Sequence, residues 1–201
     1  MDFGTWPRLL VVDVEGNGAV PPDLVEVAAI PIAAGRPVPE DARCTLIRPP
    51  RPITPFAARI HHITSHVVQA APSWEEVAPD VHAHLQGAWI AAHNARVDYD
   101  ALRRHLPRWE PAGVVDTLRL ARATYPDASK YSLDALLAYT NVPLAGISGQ
   151  RHRAGYDAHA TALLLLDLAR HYDTWDALIA VAIPPGMPGF PPQRHEEQTL
   201  W

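Results

Sequence analysis

Arg8-Leu9-Leu10-Val11-Val12-Asp13-Val14-Glu15-Gly16-Asn17-Gly18 is the stretch on which the fold turns. Leu9 to Val12 is apolar at every position, so Arg8 to Val14 reads as a strand buried on both faces. Asp13 and Glu15 interrupt that run near its C-terminal end, and Gly16-Asn17-Gly18 then breaks the chain direction. Side chains two apart in a strand point to one face, about 7 Å from each other. Two carboxylates placed in this way repel unless a cation lies between them. Such oxygen ligands suit Mg2+ or Mn2+, hard ions that keep waters for a phosphate substrate. A solvated loop start also carries acidic residues, and the pair alone leaves both readings open.

Outward from this strand, Leu24 to Ile32 and Cys44 to Ile47 read as further strands, with Pro31, Gly35, Pro37 and Pro39 marking the turn between them. Short helical pieces are expected at about 55–61 and 65–69. Ser73-Trp74-Glu75-Glu76 is a capping box that opens a helix reaching about Gln86. Ala88 to Ala92 returns to strand, Asp98 to Leu106 to helix, and Val114-Val115 is a fifth short strand. Helices are expected at 117–124, 132–139, 155–172 and 174–182. Strands early and helices late, with mixed crossovers, make an α/β or α+β three-layer domain. From Pro184 onward, proline and glycine exclude regular structure. The expected organisation is one domain over 1–183 and a flexible tail over 184–201.

The composition narrows the function classes. With 48% hydrophobic residues among 201, a sizeable core is affordable by area, and no apolar run approaches the length of a membrane span. Cys44 is the single cysteine, so an intrachain disulfide and a cysteine-based zinc site are both excluded. The first residues show no basic region followed by an apolar run, and a cytoplasmic setting is expected. A net charge of −5 argues against a protein that coats nucleic acid electrostatically. It leaves room for one that grips only a strand end, where metal ions supply positive charge.

Two further segments carry chemistry. His93-Asn94-Ala95-Arg96-Val97-Asp98 follows a strand and starts a helix, where an aspartate is in any case favoured by the helix dipole. His152 and Asp157 stand five apart before a long apolar helix. Five helical residues turn through about 500°, so the two do not share a helix face. The histidine therefore belongs to the approach loop and Asp157 to the first turn.

The ordered set Asp13-x-Glu15, His93-Asn94-Ala95 with Asp98, and His152 with Asp157 resembles the three exonuclease motifs of the DEDDh (DnaQ-like) family. Supporting phrases are also similar. Pro55, Ala58 and Ile60-His61-His62-Ile63-Thr64 resemble the family's short helix and its I-H-G-I-T segment. Val115-Asp116-Thr117-Leu118, Tyr131-Ser132-Leu133-Asp134-Ala135-Leu136 and Asp157-Ala158-x-Ala160-Thr161-Ala162 resemble its later helix starts. The likeness spans residues 9 to 170 in the family's order.

The resemblance implies a ribonuclease H-like fold: a five-stranded mixed sheet with the second strand antiparallel and helices on both faces. It implies 3'→5' exonuclease activity with two Mg2+ or Mn2+ ions, releasing nucleoside 5'-monophosphates. Asp13 would bridge both ions, Glu15 and Asp157 would complete the first, and Asp98 would hold the second. His152 would be the general base. Gly16, Asn17, Ile60, His61, Ile63, His93 and Asn94 would contact the strand end; for His61 a capped helix end is the competing reading. Where the family has threonines after its glutamate this chain has Gly16-Asn17-Gly18; its segment glycine is His62 and its aromatic before the second-motif aspartate is Val97. None of these removes a ligand.

A single-stranded DNA 3' end is the favoured partner. RNA trimming, or scavenging of short RNA fragments, is the alternative within the same chemistry. A catalytically silent binding module is the alternative from another class, and it predicts a lost ligand or base that is not found. A polymerase or sliding clamp is a further candidate partner, since Gln198-Thr199-Leu200-Trp201 bears a faint likeness to clamp-binding peptides. A polar chain end with one apolar residue is the simpler account of that segment. No membrane contact is expected.

Overall fold

A computed structural model of the chain describes residues 2–190. Strand β1 (Leu9–Gly16) lies at the centre of a mixed sheet, between β2 (Leu24–Ala33) and β5 (Trp89–Ala92). It pairs antiparallel with β2 and parallel with β5, which pairs parallel with β6 (Gly113–Asp116). The outer flank of β2 is shared by β4 (Arg43–Leu46) and by a two-residue strand, β3 (Arg36–Pro37), both antiparallel to it. The expected antiparallel second strand is present. β3 is the addition to the five expected strands; it is the far arm of the tight turn through Ala34 and Gly35, which both have positive φ.

The helices are α1 (Pro55–His61), α2 (Trp74–Leu85), α3 (Arg96–His105), α4 (Thr117–Thr124), α5 (Leu133–Thr140), α6 (Ala154–Ala169) and α7 (Trp175–Ala182). Local chemistry sets their starts. Thr54, Ser132 and Thr174 cap α1, α5 and α7 through side-chain oxygens, and at α2 the Glu76 carboxylate accepts the Ser73 N–H at 2.6 Å. The expected helix at 65–69 is a series of turns. Its only apolar anchor among the buried residues is Val68, too little of a face to hold a helix against a core.

Alternation along β1 divides the molecule into layers. Leu9 and Val11 join a core with α4 to α7, whereas Leu10 and Val12 join a second core with α2, α3 and the fully buried Trp109. Asp13 and Glu15 continue the Leu9–Val11 side and so face the layer that contains α6. Residues 184–190, expected to belong to a tail, instead lie against the domain. Met187 is buried, the Pro188 carbonyl accepts the Val114 N–H at 3.0 Å, and the Pro185 carbonyl accepts from Arg96 at 3.2 Å. Proline lacks a donor but keeps its acceptor, and that suffices for docking. The remaining residues expected in the tail, 191–201, lie outside the described part. Among the described residues, no helix is long and apolar enough to cross a membrane.

Candidate active site

The C-terminal end of β1 delivers Asp13 and Glu15 to the edge of the α6 layer. Asp157 sits in the first turn of α6 and is buried. Asp98 comes from the first turn of α3, on the opposite layer, and reaches back to β1, where its Oδ1 accepts the Val14 N–H at 3.1 Å. Two strand residues and two helix starts from both layers thus converge at one end of the central strand.

Electrostatics report the convergence. Asp13 is held well above the usual carboxylate range, first by burial and then by the charges of Asp98, Glu15, Asp157 and Glu26. Glu15 is pushed up to about 8 by burial, then by Asp157, Glu26 and Asp98, with Arg153 opposing. Burial raises Asp98 to about 7 against the Val14 hydrogen bond, which pulls the other way. Acids gathered in this way outnumber the cations beside them, Arg151 and Arg153. Among the described residues, no group of three or more His, Cys, Asp or Glu side chains stands close enough to hold a metal ion as placed. Asp157 is paired with the Arg151 guanidinium at 3.1 Å. The donor set nevertheless fits Mg2+ or Mn2+, since every candidate ligand is a hard carboxylate oxygen.

His152 lies in the loop before α6, at φ 60, with its side chain about half exposed. Its backbone N–H donates to Asp157 Oδ2 at 3.1 Å, and its Nδ1 lies 3.9 Å from the same oxygen. Both neighbours are tethered. Arg151 pairs with Asp157 and with Asp134 of α5. Arg153 forks onto Glu26 of β2 through Nε at 3.0 Å and a terminal nitrogen at 2.5 Å, and the Ala154 N–H donates to the same carboxylate at 2.8 Å.

The expected substrate contacts divide. Gly16 closes β1 beside a register shift, and its carbonyl accepts from His61 Nε2 at 3.2 Å. His61 is buried, and its Nδ1 accepts the Ile63 N–H at 3.0 Å, so both ring nitrogens are engaged inside the protein and the histidine fixes Gly16. Asn17 is turned inward: its side chain bonds Asp23, Ala19 and the Arg51 carbonyl, and its N–H donates to the Asp23 carbonyl. It organises the loop and has no polar atom left to offer a strand end. Ile63 is fully buried with Val25, Ile53, Ala57 and Val68, a core position and not a base platform. His93 is likewise structural, bonding Thr117 Oγ1 at 2.9 Å and the Tyr131 carbonyl at 2.8 Å. Ile60 remains exposed, and Asn94 is exposed at φ 66 with its N–H held by Asp116. Gly18 is required by geometry: at φ 80, an added Cβ would stand 2.2 Å from Thr54 Oγ1.

Sequence reasoning overlooked Glu26, Arg151 and Arg153. A signal for Glu26 existed, because a lone carboxylate within Leu24-Val25-Glu26-Val27-Ala28-Ala29-Ile30 must find a cation once that strand is buried.

A family model described as Exonuclease matches residues 10–165. Exodeoxyribonuclease 10 of Escherichia coli (strain K12) is 37% identical over 162 residues, covering 80% of this chain and 68% of that protein. The DNA polymerase III subunit epsilon-like protein of Rhodobacter capsulatus is 33% identical over 181 residues, covering 85% of this chain and 25% of its own length. Among solved structures, Exonuclease X in complex with 5' overhanging duplex DNA superposes with a TM-score of 0.72 at 34% identity, covering 85% of this chain and 96% of that one. E. coli Exonuclease I, solved with a dT13 oligonucleotide, shares the fold at 18% identity and a TM-score of 0.68, over 82% of this chain and 41% of that one. A motif set in family order and a family match over residues 10–165 place this hydrolytic enzyme in the DEDDh (DnaQ-like) 3'→5' exonuclease family.

Proposed function

We propose that this enzyme removes nucleoside 5'-monophosphates from the 3' end of DNA, single strands in particular, with two divalent cations held by Asp13, Glu15, Asp98 and Asp157. The observation that carries this reading is the gathering of those carboxylates from β1, α3 and α6, with Asp13, Glu15 and Asp98 raised by burial and the first two also by the charges around them. When bound, Mg2+ or Mn2+ supplies the positive charge that a phosphodiester needs and lowers the pKa of a water. The chain's own part is to hold and to deprotonate. Asp13 reaches the centre from β1 and Asp98 from α3, so the two layers grip the site together. His152, half exposed at the mouth beside Asp157, takes the proton from the attacking water on an imidazole nitrogen. Gly16, fixed by His61, would present its backbone to the terminal sugar, and the exposed Ile60 and Asn94 are the side chains of the expected set left free to contact the strand end.

DNA is favoured because the relatives at 34–37% identity are an exodeoxyribonuclease and an exonuclease solved on duplex DNA with a 5' overhang. The test is hydrolysis of matched DNA and RNA oligomers, single-stranded and duplex, with Mn2+ or chelator. Chelator-sensitive release of 5'-mononucleotides, fastest from single-stranded DNA, is the expected result. Equal or faster release from RNA would overturn the polymer assignment, and chelator-insensitive cleavage would overturn the metal assignment.

A further inference from the structure

We infer that Glu26 and Arg153 form a positioning clamp for His152, one that acts on turnover through the placement of the histidine. The inference rests on the reading of His152 as general base. Glu26 is 5% exposed on β2 and stands opposite Glu15 in the β1–β2 register, on the same face. It is therefore placed where a fifth ligand could stand, yet its oxygens are taken by three donors, two from Arg153 and one from the Ala154 N–H. A forked guanidinium on a carboxylate fixes direction as well as distance.

What this grip fixes is the residue next door. His152 has a left-handed backbone, and residues 148–150 before it are exposed. A cavity of about 440 Å3, lined by Glu26, Ser148, Gly149, Gln150, Arg153 and Tyr156 among others, backs the loop where packed side chains would otherwise support it. The other tether, Arg151, holds Asp134 of α5, whose side chain is exposed, and Asp157, an acid of the four-carboxylate cluster for which it competes with any cation. The Glu26–Arg153 grip uses none, so it persists when those acids are engaged. Asp157 depends on it less, because α6 is anchored along its length by buried residues from Ala158 to Ala169.

The test is a paired replacement, Glu26→Leu with Arg153→Met, made in the native enzyme and in His152→Ala. Replacing both partners of this ion pair by apolar side chains leaves no stranded charge; the group that loses its acceptor is the Ala154 N–H at the start of α6, and thermal melts check that folding survives. Misplacing a catalytic group by about 1 Å costs on the order of 10²-fold in rate. The expected result is a kcat loss of about that size in the native background, with KM and Mn2+ affinity within about twofold, and a further loss under about twofold in His152→Ala. Equal losses in both backgrounds, no loss in the native one, or weakened Mn2+ binding would overturn the clamp. If the double variant fails to fold, Arg153→Lys keeps the charge and removes the fork; the same dependence on background is expected, with a loss of about tenfold. Full activity of His152→Ala alone would remove the base assignment, a failure visible before the clamp is touched.

Discussion

Raising the pH in the presence of chelator should destabilise this fold. Glu15 has its pKa raised from 4.5 to about 8 in the folded state, by burial first and by Asp157, Glu26 and Asp98 next. Between those values the folded protein keeps a proton that the unfolded chain has released, so stability is present below the lower value and is lost as pH climbs to the upper one. At about 1.4 kcal/mol for each pH unit, the span sets a ceiling of roughly 5 kcal/mol from this group. Asp98, raised from 3.8 to about 7 chiefly by burial, is itself one of the charges that raise Glu15, so the two contributions overlap and do not add in full. A net slope on the order of 1 kcal/mol per pH unit is the working figure. His61, His84, His93 and His159 have pKa values lowered by burial and give the opposite slope at the acid end, so the informative window runs from about pH 6.5 upward to 8. The assay is urea unfolding followed by tryptophan fluorescence, with EDTA, on wild type and Glu15→Gln. Wild type should lose stability across the window and Glu15→Gln should lose less. Saturating Mn2+ should flatten the slope, since a ligand at a hundred times its Kd adds about 2.7 kcal/mol and binds best to ionised acids. Identical slopes for wild type and Glu15→Gln, or metal-free stability that rises towards pH 8, would refute the reasoning.

Asp13→Asn should abolish nuclease activity, yet melt in EDTA at the same temperature as wild type or a few degrees higher, because a repelled charge is gone; differential scanning calorimetry and an oligonucleotide assay check both halves. His152→Ala should lower kcat by about 10²–10⁴-fold, with Mn2+ affinity by titration calorimetry held within about twofold. Ile63→Ala should cost about 2–5 kcal/mol of stability and leave KM nearly unchanged. Ile60→Ala, at the exposed rim, should do the reverse, raising KM with a stability change within about 0.5 kcal/mol; denaturant midpoints and steady-state kinetics separate the two.

Much of the architecture was legible because its signals are local. Leu9-Leu10-Val11-Val12 has no side for water, and Ser73 with Glu76 forms a cap within three residues of itself. The four acids were legible as an ordered set, and α6 begins where the spacing of His152 and Asp157 demanded. The failures lie where the partner is remote. Glu26 meets Arg153 across 127 positions, and no window of sequence contains both. His93 and Asn17 carry groups that serve a substrate or the protein's own backbone equally well; only the placement of Thr117, Tyr131 and Asp23 decides which. Ile60 and Ile63 differ by less than one helical turn, and the left-handed His62 between them sends one outward and the other into the interior. The turns at 65–69 have helical composition without a face to pack, and composition alone does not distinguish the two.

The segment that docks below β6 has a colloidal consequence. β6 is the last strand of its side of the sheet, and Pro188 meets the Val114 N–H there with a residue that accepts but cannot extend the ladder. Cutting the chain after Ile183 would strip that cover, bare the surface around Trp89 and Gly113 that Gly189 presses upon, and leave the Val114 N–H unmet on an open strand edge. Such a shortened protein should self-associate on a sizing column at concentrations where the longer one runs as a single species, with Asp13 and Glu15 untouched at the opposite end of β1.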